Sequence, residues 1–219
     1  MSSTNSREQH RELATLDRVP LPVEAARIGV TGWQLTRTAL RILPTLAGKG
    51  SLQDKVVKQI PKTFSDLGPT YVKFGQIIAS SPGAFGEQLS REFRTLLDAV
   101  PPADTAEVHK LFKEELGADP ADLFASFDEE PFASASIAQV HFATLHTGEE
   151  VVVKIQRPGI RRRVAADLQI LKRFAQMVEL AKLGRRLSAQ DVVADFADNL
   201  AEELDFRIEA QSMEAWVSG

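Results

Sequence analysis

Val151-Val152-Val153-Lys154-Ile155-Gln156-Arg157-Pro158-Gly159 is the stretch that decides the fold of this chain. Its side chains alternate. Val151, Val153 and Ile155 fall on one face of an extended segment, and Val152, Lys154 and Gln156 fall on the other. Pro158-Gly159 ends the run. Just upstream, residues 137–146 and 149–156 are strand-like and are joined by His146-Thr147-Gly148, which has the composition of a hairpin turn. Residues 124–132 form a further strand-like segment. The spacing predicts a small antiparallel sheet that carries Lys154 on its last strand.

On either side of the sheet the pattern turns helical. A helix is expected from about Arg162 to Leu183, with Val164, Leu168, Leu171, Ala175 and Val178 in one stripe. Ser188 and Asp191 cap another, with Val192, Phe196, Leu200, Leu204 and Ile208 at four-residue steps. Before the sheet the chain reads as a string of short helices. Ser51 and Asp54 look like a capping box opening a helix to about Asp66, and Gly68-Pro69 breaks it and starts a second over 70–80. Ser81-Pro82-Gly83 stops that one, and Glu87–Asp98 resumes. Pro101-Pro102 ends this helix, and Asp104 with Glu107 opens the next, to about Leu116. Residues 23–43 place Ala26, Val30, Trp33, Leu40 and Leu43 at helical spacing, with Arg27, Arg37 and Arg41 among them. Two readings stand for this helix: it packs on its own domain, or it lies on an anionic lipid surface. Residues 1–20 are polar and aperiodic, a flexible tail.

The chain has 219 residues, 43% hydrophobic and 26% charged, the balance of a globular domain. It has no cysteine, which removes disulfides, thiolate metal sites, iron–sulfur clusters and a thiol nucleophile. The four histidines show no metal-binding spacing, so no metal site is expected on this chain. The first residues are polar, without the apolar core of a secretory leader. The longest uncharged run, Pro131–Gly148, is too polar to span a membrane. A cytoplasmic protein is expected, lying at most peripherally on the inner face of the membrane. The net charge of −4 is unevenly spread: residues 151–186 hold ten basic and two acidic groups, and 187–219 hold one and eight. The basic block could bind phosphate, or the two blocks could neutralise each other.

Several residues could carry chemistry. The strand ending in Val152-Val153-Lys154 is similar to the lysine strand of a protein-kinase small lobe, where the lysine grips nucleotide phosphates. Read blandly, Lys154 is an edge-strand lysine in water. The loop before it, Pro131 to Ala138, contains no glycine, so this is not an ordinary protein kinase. Its side chains are small enough to admit a phosphate, and Ser134 and Ser136 can donate hydrogen bonds. Lys73 and Gln76 share a helix face, and Gly75 between them costs a helix about 1 kcal/mol relative to alanine. That cost suggests close approach of a backbone or ligand, although both polar residues also read as solvated surface. Glu203 and Asp205 flank the buried stripe on opposite sides, so they cannot both address one atom unless the helix is distorted.

Five motifs stand together in order: Leu67-Gly-Pro-Thr-Tyr-Val-Lys-Phe-Gly-Gln76, Pro101-Pro102, Ala133-Ser-Ala-Ser-Ile-Ala-Gln-Val-His141, Val151–Gly159, and Glu203-Leu-Asp-Phe206 with Glu209-Ala210. In order and spacing they resemble the UbiB/AarF family over about residues 60–212. These are atypical kinase-like ATP-binding proteins tied to ubiquinone and other isoprenoid-lipid metabolism. The resemblance implies that Lys154 is the nucleotide-binding lysine and Glu203 its ion-pair partner, with Glu179 on the preceding helix as the alternative. It implies that Ala133, Ser134, Ala135 and Ser136 form the alanine-rich loop that replaces a glycine loop. Lys73 and Gln76 would belong to the signature helix that folds over the active site, and Glu203 and Asp205 to the Glu-x-Asp motif.

The fold expected is α+β. A flexible tail (1–20) and a helical extension (21–124) precede a partial kinase-like small lobe (125–219), with the C-terminal lobe missing. ATP and Mg2+ are the implied cofactors, the metal ligands being expected in that missing lobe. The chain thus reads as the N-terminal fragment of a kinase-like phosphotransferase or ATPase serving isoprenoid quinone or lipid metabolism. The alternative is a non-catalytic module that docks a partner or a membrane. Expected partners are a nucleotide, a peripheral membrane or isoprenoid lipid contact, and a second copy of the chain where the surface meant for the missing lobe is exposed. Nucleic-acid binding through 157–186 is not expected, because the acidic neighbour opposes it and no recognition motif accompanies the charge.

Overall fold

A computed structural model describes residues 21–42, 52–94, 101–180 and 188–217. The expected tail over 1–20, Leu43 and the capping Ser51 lie outside the described residues. Among the described residues seven helices precede the sheet: α1 (Leu21–Ile42), α2 (Leu52–Leu67), α3 (Pro69–Ser80), α4 (Pro82–Phe85), α5 (Glu87–Phe93), α6 (Thr105–Leu116) and α7 (Pro120–Leu123). Four strands follow: β1 (Ser126–Phe127), β2 (Ala133–Ser134), β3 (Ala138–Thr144) and β4 (Glu150–Gln156). Helices α8 (Ile160–Leu180), α9 (Ala189–Leu204) and α10 (Phe206–Val217) end the chain. The chain divides into two compact units. One is helical and discontinuous, Met1–Leu96 with Arg161–Gly219, and the other is Leu97–Ile160, which holds the sheet.

In the sheet unit β3 is central. It pairs antiparallel with β1, β2 and β4, and the β3–β4 register sets Val140 opposite Lys154, Phe142 opposite Val152 and Gln139 opposite Ile155. The turn between them uses Gly148 at φ 94°, a conformation that favours glycine. Alternation decides which face is covered. Ile155 is buried with Val108 and Phe112 of α6, and Phe124, Phe127 and Val153 pack around them. Helix α6 itself starts where the sequence says it should, with the Asp104 carboxylate accepting from the Ala106 N–H. The sequence reading placed this helix in the extension, and it packs here on the sheet. The strand expected over 124–132 forms only at Ser126–Phe127, with pairing resuming at Ala133. Asp128-Glu129-Glu130-Pro131 lies between, and proline has no N–H to give a ladder.

The helical unit is organised around an aromatic cluster. Phe64 meets Tyr71, Phe74 and Phe93 at ring-centroid distances of 5.8, 6.3 and 4.9 Å, and Phe74 meets Phe196 at 4.9 Å. Val164, Leu168, Leu171, Ala175, Phe196, Leu200 and Leu204 are buried, as their helical stripes predict. Gly68 joins α2 to α3 at φ 109° and ψ −167°, a region closed to residues with a Cβ, so the Gly68-Pro69 break is a matter of backbone chemistry.

One clamp crosses this unit. Arg27 of α1 donates from Nε to Asp167 Oδ1 at 2.5 Å and from Nη2 to Asp167 Oδ2 at 3.0 Å, and also to the Leu67 carbonyl at 2.6 Å. Asp167 is fully buried. Burial, and after it the Asp167 charge, pushes the nearby Tyr71 hydroxyl up to about 12. Helix α1 turns its polar side inward, where Gln34 reaches the Asp66 carbonyl and Thr38 bonds Thr63. Its apolar residues Val30, Trp33 and Leu40 are exposed. The helix thus packs on its own domain, as one of the two readings had it, but through its polar side and not through the apolar stripe.

Candidate functional site

The residues singled out by sequence fall into two sets, one in each unit. In the sheet unit, Lys154 stands on β4, an edge strand of the described sheet, on the face away from α6. That face is open: Val152 and Phe142 are exposed, and Phe142 stacks on Phe132 at 4.2 Å with ring planes 19° apart. Lys154 also borders a groove of about 290 Å³ with Leu111, Glu115 and Leu116 of α6. An exposed lysine beside uncovered apolar side chains can hold an anion whose remainder is flat and apolar.

The loop Ala133–Ser136 leads from β2 into β3, the strand that also pairs with β4, and is shaped by hydrogen bonds. Ser134 pairs with Gln139 in register, and the Ala135 N–H reaches the Ala138 carbonyl at 2.8 Å. Arg157, three residues beyond Lys154, ties the loop from outside. Its Nε donates to the Ala135 carbonyl at 2.9 Å, its Nη2 to Ser134 Oγ at 2.7 Å, and its backbone N–H to the Ile137 carbonyl at 3.0 Å. A loop of alanine and serine lacks the positive-φ freedom of a glycine cradle, and a guanidinium fork is what fixes its shape here. The reading from sequence missed Arg157. The available signal was an arginine just before Pro158-Gly159, where the strand must leave the sheet.

Gln139 and His141 were quoted only as motif letters, and both are buried on the covered face. His141 Nδ1 donates to the Asp128 carbonyl at 2.7 Å, so its Nε2 accepts from Gln139 Nε2 at 2.8 Å. Gln139 Oε1 accepts from the Ala103 N–H at 2.9 Å, just after Pro101-Pro102. These two side chains peg that segment and the 128 region to β3. Strand alternation could have shown this, since it puts polar residues at two core-facing positions, where they need partners.

In the helical unit, Lys73 of α3 and Glu203 near the end of α9 form an ion pair of 2.5 Å. Beneath it the Phe74–Phe196 contact holds the two helices together. Lys73 was thus brought to Glu203, a partner the sequence reading did not assign to either residue. Gly75 is buried, and Gln76 is half-buried on the same helix. Helix α9 does not run on through Asp205, as its stripe suggested. It stops at Leu204, and Asp205 takes φ −99° and ψ 88°. Arg161 donates to the freed Leu204 carbonyl at 2.5 Å, and Asp205 accepts from the Arg207 backbone at 3.1 Å and from its Nε at 2.8 Å. Despite this break Glu203 and Asp205 do not address one atom: Glu203 pairs with Lys73 and Asp205 with Arg207. Glu179, the alternative partner weighed for Lys154, accepts instead from Ser188 Oγ at 2.8 Å, from the Gln190 N–H at 3.0 Å and from the Gln190 side chain. The Gln190 backbone bond, then the Ser188 and Gln190 side chains, hold its carboxyl below the usual range, so it serves the start of α9.

A lysine strand after a glycine-free small-residue loop, with a separate Lys-x-Gly-Gln helix ion-paired to a Glu-x-Asp corner, defines an atypical kinase-like protein. The family model for the ABC1 atypical kinase-like domain matches residues 95–218, and the chain belongs to that family. It is 83% identical over 209 residues to the uncharacterized protein Rv0647c of Mycobacterium tuberculosis, covering 95% of this chain and 43% of that protein. It is 46% identical over 146 residues to the probable protein kinase UbiB of Azotobacter vinelandii, covering 66% of this chain and 27% of that one. Among solved structures, Rv3197 of Mycobacterium tuberculosis in complex with erythromycin is 28% identical with a TM-score of 0.46, covering 85% of this chain and 43% of that one. The chain therefore spans less than half the length of these relatives. The expected α+β architecture, with a small antiparallel sheet among helices, is the one observed. Among the described residues no helix is long and apolar enough to cross a membrane.

Proposed function

We propose that this chain is the nucleotide-binding front part of a kinase-like phosphotransferase or ATPase that acts in isoprenoid quinone or lipid metabolism. The observation that carries the reading is the placement, within one compact unit, of Lys154 on β4 and the Ala133–Ser136 loop at the β2–β3 connection, both against the shared strand β3, with the loop fixed by Arg157. ATP fits this donor set: a cationic Nζ for phosphate oxygens, small side chains that admit close approach, and serine hydroxyls that can donate. When bound, the nucleotide would supply the phosphoryl group. Lys154 would steady the α- and β-phosphates, the loop would cover them, and exposed Val152 with Val140 would offer an apolar seat for the base. Among the described residues no group of three histidines, aspartates or glutamates converges as a metal site. The reading gives this chain the nucleotide and leaves the protein ligands of Mg2+ unassigned. Lys73, Gln76, Glu203 and Asp205 are proposed to act in closing the site, Lys73 through its ion pair with Glu203.

The test is a thermal-shift titration with MgATP and with MgADP, run beside Lys154→Ala. Saturating stabilisation is expected, about 2.7 kcal/mol at a hundredfold excess over Kd, and it should vanish in the variant. A flat response from a cooperatively melting wild-type chain would refute nucleotide binding by this chain.

A further inference from the structure

The seam between α1 and the corner where α2 meets α3 holds buried polar atoms that no described group satisfies. Thr31 is 6% exposed, Tyr71 4% and Thr70 0%, and the hydroxyls of all three lack a hydrogen-bond partner among the described residues, as does Gln34 Oε1. Buried hydroxyls left unmade are costly and rare. Thr36 and Thr63 show the ordinary solution for a helical threonine. Each bonds the carbonyl four residues back in its own helix, at 2.8 and 3.0 Å. Thr31 makes no such bond.

The geometry brings Thr31 and Tyr71 to one place. Arg27 and Gln34, one turn to either side of Thr31, reach the consecutive carbonyls of Leu67 and Asp66, so Thr31 faces the corner from which α3 starts. Arg27 Nη2 lies 3.9 Å from where a Cβ would stand on Gly68. Tyr71 is in the first turn of α3, and its ring meets Phe64 edge-on at a centroid distance of 5.8 Å. Burial is the main cause of its raised pKa, and the smaller influences come from Asp167, Thr31 and Arg27 in that order, which sets all three about the hydroxyl. Asp167 keeps acceptor capacity, since each of its oxygens takes one bond from Arg27 and has a second lone pair.

We infer that a water molecule is bound in this seam as an integral part of the structure, held by Thr31 Oγ, Tyr71 Oη and the Asp167 carboxylate. Both hydroxyls donate to the water and the water donates to Asp167, about the three bonds usual for a buried water. Charge and chemistry select this ligand. Arg27 already neutralises Asp167, so the seam offers no net charge to hold an ion, and two hydroxyls beside a carboxylate supply the donors and the acceptor that water needs. The water would add a hydrated bridge to the Arg27–Asp167 clamp and join α1 and α8 to the start of the helix that carries Lys73. The inference holds whether or not Lys154 binds nucleotide.

The test is Thr31→Val in the 219-residue chain. Both residues are β-branched, so shape and helix propensity are kept and the hydroxyl alone is lost. With the water in place, removing one of its partners should lower the thermal midpoint by about 2–4 °C. Thr31→Val with Tyr71→Phe should then lose less than the two singles added, because both act on one ligand. Without the water, exchanging an unpaired buried hydroxyl for a methyl removes a penalty, and the midpoint should rise. A crystal structure of the wild-type chain decides even if the double variant misfolds. It should show an ordered-water peak within hydrogen-bonding distance of both Thr31 Oγ and Tyr71 Oη. A raised or unchanged midpoint for Thr31→Val, additive losses in the double variant, or a direct Thr31–Tyr71 hydrogen bond with no water beside it would overturn the proposal.

Discussion

Replacing Arg27 by methionine tests how the helical unit holds together. The guanidinium sits 2.5 and 3.0 Å from the two Asp167 oxygens, and the side chains are 11% and 0% exposed. Taking away one partner of such a pair leaves a carboxylate buried without its countercharge, which costs about 3–5 kcal/mol. The Leu67 carbonyl also loses its charged donor at 2.6 Å, adding about 1–2 kcal/mol. The sum is about 5 kcal/mol, or a fall in Tm of roughly 10–20 °C at the 2–4 °C per kcal/mol typical of a chain this size. Because the desolvation of both charges opposes their attraction, Arg27→Met with Asp167→Leu together should be more stable than Arg27→Met alone, recovering most of the loss. Urea and thermal unfolding followed by far-ultraviolet circular dichroism would measure all three variants. A loss below 1 kcal/mol for Arg27→Met, or a double variant as unstable as the two singles added, would refute the argument that a buried charge pair clamps α1.

Tyr71 is the only tyrosine, so its titration can be followed directly by tyrosinate absorbance. With the folded value at about 12 against an ordinary value near 10, the unfolded state releases the proton first, so stability falls as pH rises from 10 to 12, by at most about 2.7 kcal/mol. Tyr71→Phe should remove that alkaline loss, and ionisation of the folded protein near pH 10 would contradict it. Glu179 works the other way. Its depressed folded value gives stability that is present above the ordinary carboxylate range and lost as pH falls through it, so Glu179→Gln should flatten the acid limb of the stability profile. Arg157→Ala removes two side-chain bonds from the Ala133–Ser136 loop and should weaken nucleotide about tenfold in the same thermal-shift titration, with little change in the unliganded midpoint. Unchanged affinity would show that the loop keeps its shape without the arginine.

Much of this arrangement could be read from the residues. Alternation along 151–156 put Lys154 on the open face, Gly68-Pro69 and Asp104 marked helix ends through backbone and capping chemistry, and the four-residue stripes found the buried sides of α8 and α9. What escaped was set by partners distant in sequence. The polar inward face of α1 depends on Asp167, 140 residues away, which no local pattern reveals. The corner at Asp205 follows a stripe that continues unbroken to Ile208, so periodicity argued for a straight helix. The break rests on Arg161 taking the Leu204 carbonyl. Lys73 and Glu203 were both named as site residues, but their pairing needed the Phe74–Phe196 packing that brings α3 to α9.

The division of the chain bears on the order in which it is made. The sheet unit is one uninterrupted run, Leu97–Ile160, whereas the helical unit needs both Met1–Leu96 and Arg161–Gly219. During synthesis the ribosome delivers everything the sheet unit requires before Asp167 exists to receive Arg27. The inserted unit can therefore settle early through local hairpin and helix contacts. The first ninety-odd residues must wait, their aromatic cluster and the apolar face of α1 exposed together, until residues 161–219 have been made. A nascent chain stalled before Arg161 should accordingly be the species that chaperones hold most tightly.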